Sequence, residues 1–411
     1  MSDVGRGRGV LREGSENPER VTWVELFFDL VFAFAVTQVT ELLTVSPDIL
    51  DLVRTVIVCL AIWWVWVYTT WAMNWLDPET RPVLWLLMLL TALGLLLSET
   101  VPEAFESKSL LFVGAYLTYG FVRTISVIVG TRRDLPVVAD GQWRILWWSA
   151  AAAVLWVVGA LVESDWLQVS LWAGALVLEY GGPAVRFWLP GRGRSSWEAW
   201  RVRGGHFAER SALFIIIVLG ESILVVGRAL SEHGLTPENI AASLSAFIDA
   251  VVLWFLYFAH GQERGHRFIS ARDATGPVAR VSYTYLHVVL VIGIVLTTHA
   301  VDLVIHDPHD EASTLEVALL MLAPALYLIG LVSFKRSTGV LVRWIPSHAG
   351  GAAVLAALFV ILQRFYPDAP VLAVTWLSTA VLVIVLIGDE VLWVRRRGSA
   401  VTRTAAMGAP E

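Results

Sequence analysis

Twelve long apolar runs are the feature that most limits what this sequence can fold into. Each run is about 17–25 residues long, the length that an α-helix needs to cross a bilayer. The runs do not alternate between apolar and polar residues, so the pattern favours helices over barrel strands. The sequence therefore predicts an all-α integral membrane protein with about twelve transmembrane helices. The predicted spans are 22–44, 50–75, 82–98, 109–129, 143–162, 166–189, 207–229, 240–261, 281–304, 314–333, 346–365 and 371–394.

The composition excludes several other classes of protein. Hydrophobic residues make up 56% of the chain and charged residues 16%, whereas soluble proteins carry about 25% charged residues. The single cysteine, Cys59, lies in an apolar run, which excludes an intrachain disulfide and a cysteine-rich metal site. Phosphate-loop, zinc-protease and nucleophile-elbow motifs are absent from the sequence. We therefore predict no cofactor, no metal and no catalytic residue, and the sequence favours a role other than enzyme.

The basic residues indicate how the chain is oriented. With the N-terminus in the cytoplasm, 26 of the 30 basic residues fall on the cytoplasmic side, in the tails, in the even-numbered connections or in the parts of the spans nearest to them. Basic residues concentrate on the cytoplasmic side of membrane proteins, so both termini are predicted to be cytoplasmic. The same rule explains why these connections are rich in arginine, so no nucleic-acid partner is predicted. The four basic residues left outside are Arg54, Lys108, Arg228 and Arg364.

The chain also shows signs of an internal duplication near residue 200. Helix 3 opens with Arg81 and has Gly94 thirteen residues on, and helix 9 repeats this spacing with Arg280 and Gly293. Two six-helix repeats would insert the same way up and be related by an axis along the membrane normal. Chance similarity between apolar segments is the alternative. The predicted divisions are a cytoplasmic N-terminal tail 1–20, a first six-helix half 21–190, a cytoplasmic linker 191–205, a second six-helix half 206–395 and a cytoplasmic C-terminal tail 396–411.

Two carboxylates in helix 1 are the first candidate site. Glu25 and Asp29 lie four residues apart in WVELFFDLVFAFAVTQ, a spacing that puts both on one helix face. Charged side chains inside a bilayer are costly, so they mark functional positions or ion pairs. One interpretation is a site for a proton, cation or substrate. The alternative is a structural ion pair of Asp29 with a cytoplasmic-side arginine such as Arg20 or Arg81.

Helix 7 carries the second set of polar residues. The segment HFAER contains His206, Glu209 and Arg210, and its alternative interpretation is a helix start at the membrane surface. Glu221 follows Arg210 by eleven residues and lies on nearly the same helix face. No residue of helix 7 neutralises Glu221 locally, so its partner is expected on another helix.

Helices 8 and 9 add scattered polar residues. With Glu209 or Glu221, a histidine such as His287 would complete a proton-relay or metal site. A buried histidine is more often a hydrogen-bonded structural residue, and no metal ligand is predicted here. The set comprises Asp249, His260, His287 and His299.

Two segments resemble a known family. VELFFDLVFAFAVTQVT (24–40) and HFAERSALFIIIVLGESIL (206–224) resemble the paired signatures of the bacterial low temperature requirement A (LtrA) family. YTYLHVVLVIGIV (283–295) is similar to a third stretch of that family. The resemblance spans about residues 20–395 and implies a polytopic bacterial inner-membrane protein. It implies no role for any single residue.

Helix 1 also resembles the signature FSDGVFAIAIT of the lysosomal-type potassium channel family. Seven of the eleven positions of FFDLVFAFAVT (27–37) agree, while Phe28 replaces the serine and Leu30 the glycine. The first helix of each repeat lines the pore in that family. Helix 7 lacks a copy and carries Glu221 instead, which argues against a symmetric four-repeat pore.

We expect the chain to move a small cation, proton or small polar solute along helices 1 and 7. One alternative is a membrane enzyme or lipid-modifying factor that holds an anionic headgroup at His206 and Arg210. Another is a structural or sensory membrane protein. The expected partners are the bilayer and a small ion or solute, and self-association into a homo-oligomer stays open. The transport or ion-binding candidates are Glu25, Asp29, Glu209, Arg210, Glu221 and His287.

Overall fold

The structure is a computed structural model, and it describes residues 10–12, 20–43, 48–259, 263–271, 275–339 and 345–407. These residues are largely helical and contain no β-strand. A short helix, Glu263–Ser270, precedes the ninth of twelve long helices. The long helices are α1 (Trp23–Thr40), α2 (Ile49–Met73), α3 (Arg81–Glu99), α4 (Ser109–Thr131), α5 (Pro136–Leu161), α6 (Asp165–Ala184), α7 (Gly204–His233), α8 (Pro237–Tyr257), α9 (Thr275–His306), α10 (Thr314–Ser337), α11 (Ile345–Phe365) and α12 (Val371–Met407).

Eleven of these helices in the described part of the chain are long and apolar enough to cross a membrane. The protein is therefore a multi-pass membrane protein that requires a lipid bilayer around it. The exception is α6, where Gln168 and Glu179 lower the mean hydropathy. Both side chains bond to α4: Gln168 Nε2 donates to Ser109 Oγ (2.8 Å), and the Tyr116 hydroxyl donates to Glu179 Oε2 (2.7 Å). The predicted sixth span is thus a helix that ends at Ala184, and its crossing of the membrane stays a prediction.

The chain forms two compact units. Unit 1 comprises Met1–Glu221 and His266–Val288, and unit 2 comprises Ser222–Gly265 and Val289–Glu411. Each unit is therefore built from two separate stretches of chain, and the three divisions fall within α7, the short helix Glu263–Ser270 and α9. The predicted halves meet instead at the linker 191–205. The predicted halves are defined by repeated sequence, whereas the two units are defined by contacts in space. The division into units therefore does not test the halves, which stay a prediction.

Tryptophans of α2 form much of the core of unit 1. Trp63 and Trp66 are almost fully buried, with ring centroids 5.0 Å apart. Phe214 of α7 packs against both, at 5.3 Å from Trp63 and 4.3 Å from Trp66. The dense run of tryptophans in this helix is thus core packing, which sets a rigid wall beside α1 and α7.

A three-helix contact in unit 1 depends on a glycine. Gly94 of α3 faces α1 and α4, and a methyl group there would lie 3.0 Å from Val31 Cγ1 and 3.8 Å from the Tyr119 ring. The hydroxyl of Tyr119, in α4, forms a hydrogen bond of 2.9 Å with Thr69 Oγ1 of α2. The small residue thus lets α3 approach the tyrosine that links α4 to α2.

A similar contact between a glycine and a tyrosine occurs in unit 2, between α9 and α10. Gly293 of α9 faces Tyr327 of α10, and a methyl group there would lie 2.9 Å from the tyrosine Cβ. The Tyr327 hydroxyl donates to the Leu253 carbonyl of α8 at 2.7 Å. A glycine, a tyrosine and the hydrogen-bond partner of its hydroxyl thus lie on α3, α4 and α2 in unit 1 and on α9, α10 and α8 in unit 2. The duplication into two six-helix repeats stays a prediction.

Candidate functional site

A buried charged cluster joins α1 to α7 in unit 1. Glu25 and Asp29 project from one face of α1, as their spacing predicts. His206 and Arg210, also four residues apart, project from α7 toward them. All four side chains are at most 1% exposed to solvent. We name these four residues and Arg12 the charged cluster.

Glu25 uses its two carboxylate oxygens for different purposes. Oε2 accepts from the backbone N–H of Thr22 (2.8 Å) and from the Thr22 hydroxyl (2.9 Å) in a capping box that begins α1. Oε1 faces His206 Nε2 at 2.8 Å and Arg210 Nη1 at 3.3 Å. Glu25 therefore caps the start of α1 and also bonds to two residues of α7.

Asp29 is bonded through one oxygen only. Its Oδ1 accepts from Arg210 Nη2 at 2.5 Å and from Trp66 Nε1 at 2.8 Å. Its Oδ2 is buried and has no hydrogen-bond partner among the described residues. The Arg210 guanidinium also lies over the rings of Phe28 (5.7 Å) and Trp66 (5.6 Å). The cation thus rests between aromatic faces while it bridges both carboxylates.

The structure identifies the ion-pair partner of Asp29. The ion-pair interpretation names a cytoplasmic-side arginine such as Arg20 or Arg81; these two are exposed, and the arginine that pairs with Asp29 is Arg210. HFAER lies at the start of α7, as the interpretation of this segment as a helix start expects, since the helix begins at Gly204. His206 and Arg210 are nevertheless fully buried by the protein. Sequence spacing does not show which faces of two distant helices meet, so it favoured arginines close to helix 1.

Arg12 is a member of the charged cluster that the sequence did not indicate. Its Nη1 lies 3.3 Å from Glu25 Oε1 and donates to the Met73 carbonyl at 2.8 Å, while Nη2 donates to the Arg20 carbonyl at 2.7 Å. Its backbone N–H bonds to the Trp75 carbonyl. The side chain is 3% exposed. Part of the predicted N-terminal tail is therefore built into the site.

Arg12 and Glu25 compete for one nitrogen of His206. Arg12 Nη1 lies 3.0 Å from His206 Nε2, and Glu25 Oε1 lies 2.8 Å from the same atom. A ring nitrogen either carries a proton that it donates to the carboxylate or offers a lone pair to the guanidinium. His206 Nδ1 is buried without a partner among the described residues. The site therefore contains a histidine that its surroundings do not restrict to one protonation pattern.

The charges of this cluster balance only while the histidine is neutral. Two carboxylates, Glu25 and Asp29, face two guanidiniums, Arg12 and Arg210. Protonation of His206, or the entry of a cation, would add an unpaired charge away from water, which is costly. Acceptance of a positive charge therefore requires one guanidinium to move away.

Glu221 forms a second link between the same two helices. The Thr37 hydroxyl of α1 donates to Glu221 Oε2 at 2.6 Å, and Glu221 is 3% exposed. The prediction that its partner comes from another helix is confirmed. Thr37 follows Asp29 along α1 as Glu221 follows Arg210 along α7, so the two helices run in the same direction. Arg210 and Glu221 also share one helix face, as predicted.

The structure does not bring the remaining predicted residues into this cluster. Glu209 is only partly buried and takes no part in the cluster's described hydrogen bonds. His287 lies just after a π-helical stretch (Ala279–Tyr285), where its Nδ1 is 2.7 Å from the Ser282 carbonyl and its ring stacks on Tyr283 at 5.0 Å. No group of three His, Cys, Asp or Glu in the described ranges could hold a metal ion. His260 lies outside the described residues.

Unit 2 contains a second buried cluster that the sequence did not indicate. Lys335 of α10 lies 3.1 Å from His348 Nε2 of α11 and 3.7 Å from Asp389 Oδ2 of α12. The three side chains are at most 3% exposed. Lys335 and Asp389 lie near the ends of apolar runs. Charged residues at such positions are expected at the membrane surface, so the sequence gives no sign that these two are buried. Each unit therefore buries a histidine between a carboxylate and a cation.

The comparisons with known proteins agree with the fold and these motifs. The family model for the bacterial low temperature requirement A protein (LtrA) matches residues 20–387. The chain belongs to the LtrA family. It is 35% identical over 394 residues to an uncharacterized protein of Rhizobium meliloti (strain 1021), covering 95% of this chain and 94% of that protein. No solved structure matches the chain.

The LtrA match extends over both compact units. It includes α1 with Glu25 and Asp29, the buried part of α7 and the Lys335–His348 pair. The family is bacterial, so this chain is a multi-pass membrane protein of a bacterial family.

Proposed function

We propose that this LtrA-family protein moves a proton, another small cation or a small polar solute along α1 and α7. The observation that carries the proposal is the charged cluster, in which two membrane carboxylates are neutralised across the two helices. Charges buried at this cost mark transport pathways in membrane proteins. Glu221 lies further along α7, on the same helix face as Arg210, and provides one more carboxylate.

In this proposal, the charged cluster is the closed gate of the pathway. A proton delivered to Glu25 or Asp29 removes the negative charge that holds Arg210. Hydration then favours movement of the guanidinium toward water. This movement separates α1 from α7 at the charged cluster. Return of the negative charge closes the gate again, so opening is coupled to the passage of one positive charge.

We further propose the bacterial inner membrane as the location, with both termini in the cytoplasm. The support is the 26:4 distribution of basic residues across alternate connections. The charged cluster, near the start of α1 and of α7, then lies at the cytoplasmic end of the pathway, and Glu221 lies further toward the outside. The two parallel six-helix repeats of the sequence prediction are also part of this proposal.

The test is ion flux through purified protein in liposomes, followed with a pH-sensitive dye and with radioactive sodium or rubidium. Asp29→Asn and Glu221→Gln are expected to abolish the flux. The matched controls are Asp134→Asn and Glu106→Gln, which make the same changes at exposed positions. Absence of flux in wild-type protein for every cation and pH gradient would refute transport of protons and cations.

An ion-pair reversal separates gating from a scaffold role. In the double variant Asp29→Arg with Arg210→Asp, the two charges change places but remain a pair. A scaffold would retain its thermal stability and its cellular phenotype in this variant. A gate would fold but lose flux, because Asp29, the α1 carboxylate that pairs directly with Arg210 and can receive the proton, is gone.

A second candidate function, binding of an anionic lipid headgroup, is favoured by a different place in unit 1. The predicted residues His206 and Arg210 are buried against carboxylates and have no open face for a headgroup. A cleft near the end of α6 instead presents Arg186 and Arg280, whose guanidiniums each lie 5.1 Å from the ring of Trp197. Two cations against an aromatic wall suit a phosphate.

Binding of phosphatidylglycerol by the detergent-solubilised chain tests this second candidate. The variants Arg186→Gln and Arg280→Gln are expected to lose bound lipid in native mass spectrometry, while Arg132→Gln, at an exposed position, retains it. Equal lipid retention in all three variants would exclude the cleft.

A further inference from the structure

Unit 2 contains a small polar cavity that the proposed pathway does not use. Its lining residues belong to α7, α8 and α9. The cavity has room for about one water molecule or one small ion. Its polar lining consists of Ser222, Asp249, Thr297, Thr298 and Asp302.

Asp249 carries a carboxylate oxygen without a partner in this cavity. It lies in the middle of α8 and is 4% exposed. Its Oδ1 is buried and has no hydrogen bond to any described residue. The described residues that line the cavity include no lysine, arginine or histidine. An ionised carboxylate in such a place requires a positive charge beside it.

Hydroxyl groups supply further oxygen atoms around the cavity. Ser222 Oγ and Thr298 Oγ1 lie 2.5 Å apart in a hydrogen bond between α7 and α9. Thr297 donates its hydroxyl proton to the Gly293 carbonyl at 2.7 Å. A hydroxyl whose proton is engaged in this way still offers its lone pairs to another group. The cavity wall thus presents oxygen ligands, which hard cations prefer.

The charge of the lining selects a monovalent cation. Asp302 has an interaction of its own, whereas Asp249 Oδ1 has no hydrogen bond to a described residue, so Asp249 is the carboxylate that is available to an ion in the cavity. No three acidic, histidine or cysteine side chains in the described residues form a group suited to a metal ion, which argues against a divalent metal. One carboxylate with two or three hydroxyl oxygens matches a monovalent ion. The narrow cavity favours sodium over larger alkali ions.

We propose that unit 2 binds a sodium-sized alkali cation at Asp249, with the hydroxyl oxygens of Ser222 and Thr298 as further ligands. The ion neutralises the carboxylate and connects α8 to α7 and α9. This site goes beyond the proposed function, since it lies in unit 2 and does not require transport along α1. The site contributes to the stability of unit 2 whenever sodium is present.

Sodium binding to the full-length chain in detergent tests the proposal directly. Equilibrium binding of radioactive sodium is measured together with the thermal unfolding midpoint in sodium chloride and in choline chloride. We expect saturable binding of about one ion per chain and a midpoint that rises with sodium concentration, since a ligand of the folded state stabilises it. Asp249→Asn should weaken sodium binding at least tenfold and remove the sodium dependence of the midpoint.

Two further variants locate the site. Thr298→Val preserves the side-chain shape but removes one oxygen, and is expected to weaken sodium binding several-fold. Asp134→Asn makes the same change at an exposed position of unit 1 and should leave sodium binding unchanged. If Asp29→Asn abolishes binding and Asp249→Asn does not, the ion belongs to the transport pathway and the proposal for unit 2 is wrong.

The remaining outcome also decides the question. If wild-type chain binds no sodium and Asp249→Asn raises the midpoint equally in both salts, Asp249 is a protonated carboxylic acid and the proposed site does not exist. The unfolding midpoint in choline chloride shows in each case that the variant is folded. Because binding is measured without flux, failure here leaves the liposome test of the proposed function intact.

Discussion

Arg210 of α7 and Asp29 of α1 are joined by a 2.5 Å contact between Nη2 and Oδ1, and neither side chain is more than 1% exposed. The same guanidinium also reaches Glu25. One arginine therefore bridges the two carboxylates that α1 carries into the apolar part of the protein, and Arg12 supplies the second positive charge. The stability of unit 1 should depend on this contact in a way that mutations can measure.

Loss of Arg210 should be among the most damaging single changes in unit 1. Arg210→Met leaves two buried carboxylates with only Arg12 and His206, and removal of one partner of a buried pair costs about 3–5 kcal/mol. We expect a large fall in the thermal unfolding midpoint. Adding Asp29→Asn to Arg210→Met should restore a substantial part of the loss. If the second change makes the protein less stable still, the two residues do not interact as the structure shows.

Substitution of Arg12 should loosen the charged cluster without unfolding unit 1. Glu25 retains His206 and Arg210 in Arg12→Gln, so we expect a cost of about 1–3 kcal/mol, typical of an unsatisfied buried polar group. Hydrogen exchange should rise at residues 75–77 and at the start of α7. Arg20→Gln is the control, because only the backbone carbonyl of Arg20 accepts from Arg12. Equal exchange in the two variants would contradict a role for the Arg12 side chain.

A methyl group at Gly293 should destabilise unit 2. The added Cβ would lie 2.9 Å from the backbone nitrogen of Tyr327, which has no freedom to rotate away. Overpacking of this kind costs about 1–3 kcal/mol. Gly114→Ala is the control, because nothing lies within 4 Å of a Cβ there, and alanine should stabilise that helix by about 0.5–1 kcal/mol. Unfolding midpoints of the same sign for both variants would contradict the close approach of α9 to α10.

The Lys335 cluster should respond to removal of one charge more strongly than to removal of both. Lys335→Met removes the cation that lies 3.7 Å from the buried Asp389 carboxylate, and removal of one partner of a buried pair costs about 3–5 kcal/mol. Lys335→Met combined with Asp389→Leu replaces the pair by apolar groups and should be closer to wild type. Thermal unfolding of the three proteins measures this. If the double variant is the least stable, the Lys335–Asp389 contact does not account for the burial of these residues.

The sequence predicted the helices well because run length and hydropathy are local properties. It also indicated the shared face of Glu25 and Asp29, which helical periodicity determines. It indicated a partner for Glu221 from another helix, because helix 7 itself offers no residue that neutralises it. It did not predict Arg12 or the Lys335–His348–Asp389 cluster. Those sites depend on which distant segments pack together, and no spacing within one helix contains that information.

The order of synthesis gives the pairing of Arg12 with Glu25 a further meaning. Chains are made from the N-terminus, so Arg12 is available as soon as α1 enters the membrane, and it can accompany Glu25 from the beginning. Arg210 follows Asp29 by 181 residues. Between these two moments, Asp29 must enter the bilayer as a neutral acid or wait at its surface. The final placement of the first helix is thus completed only when the seventh has been made.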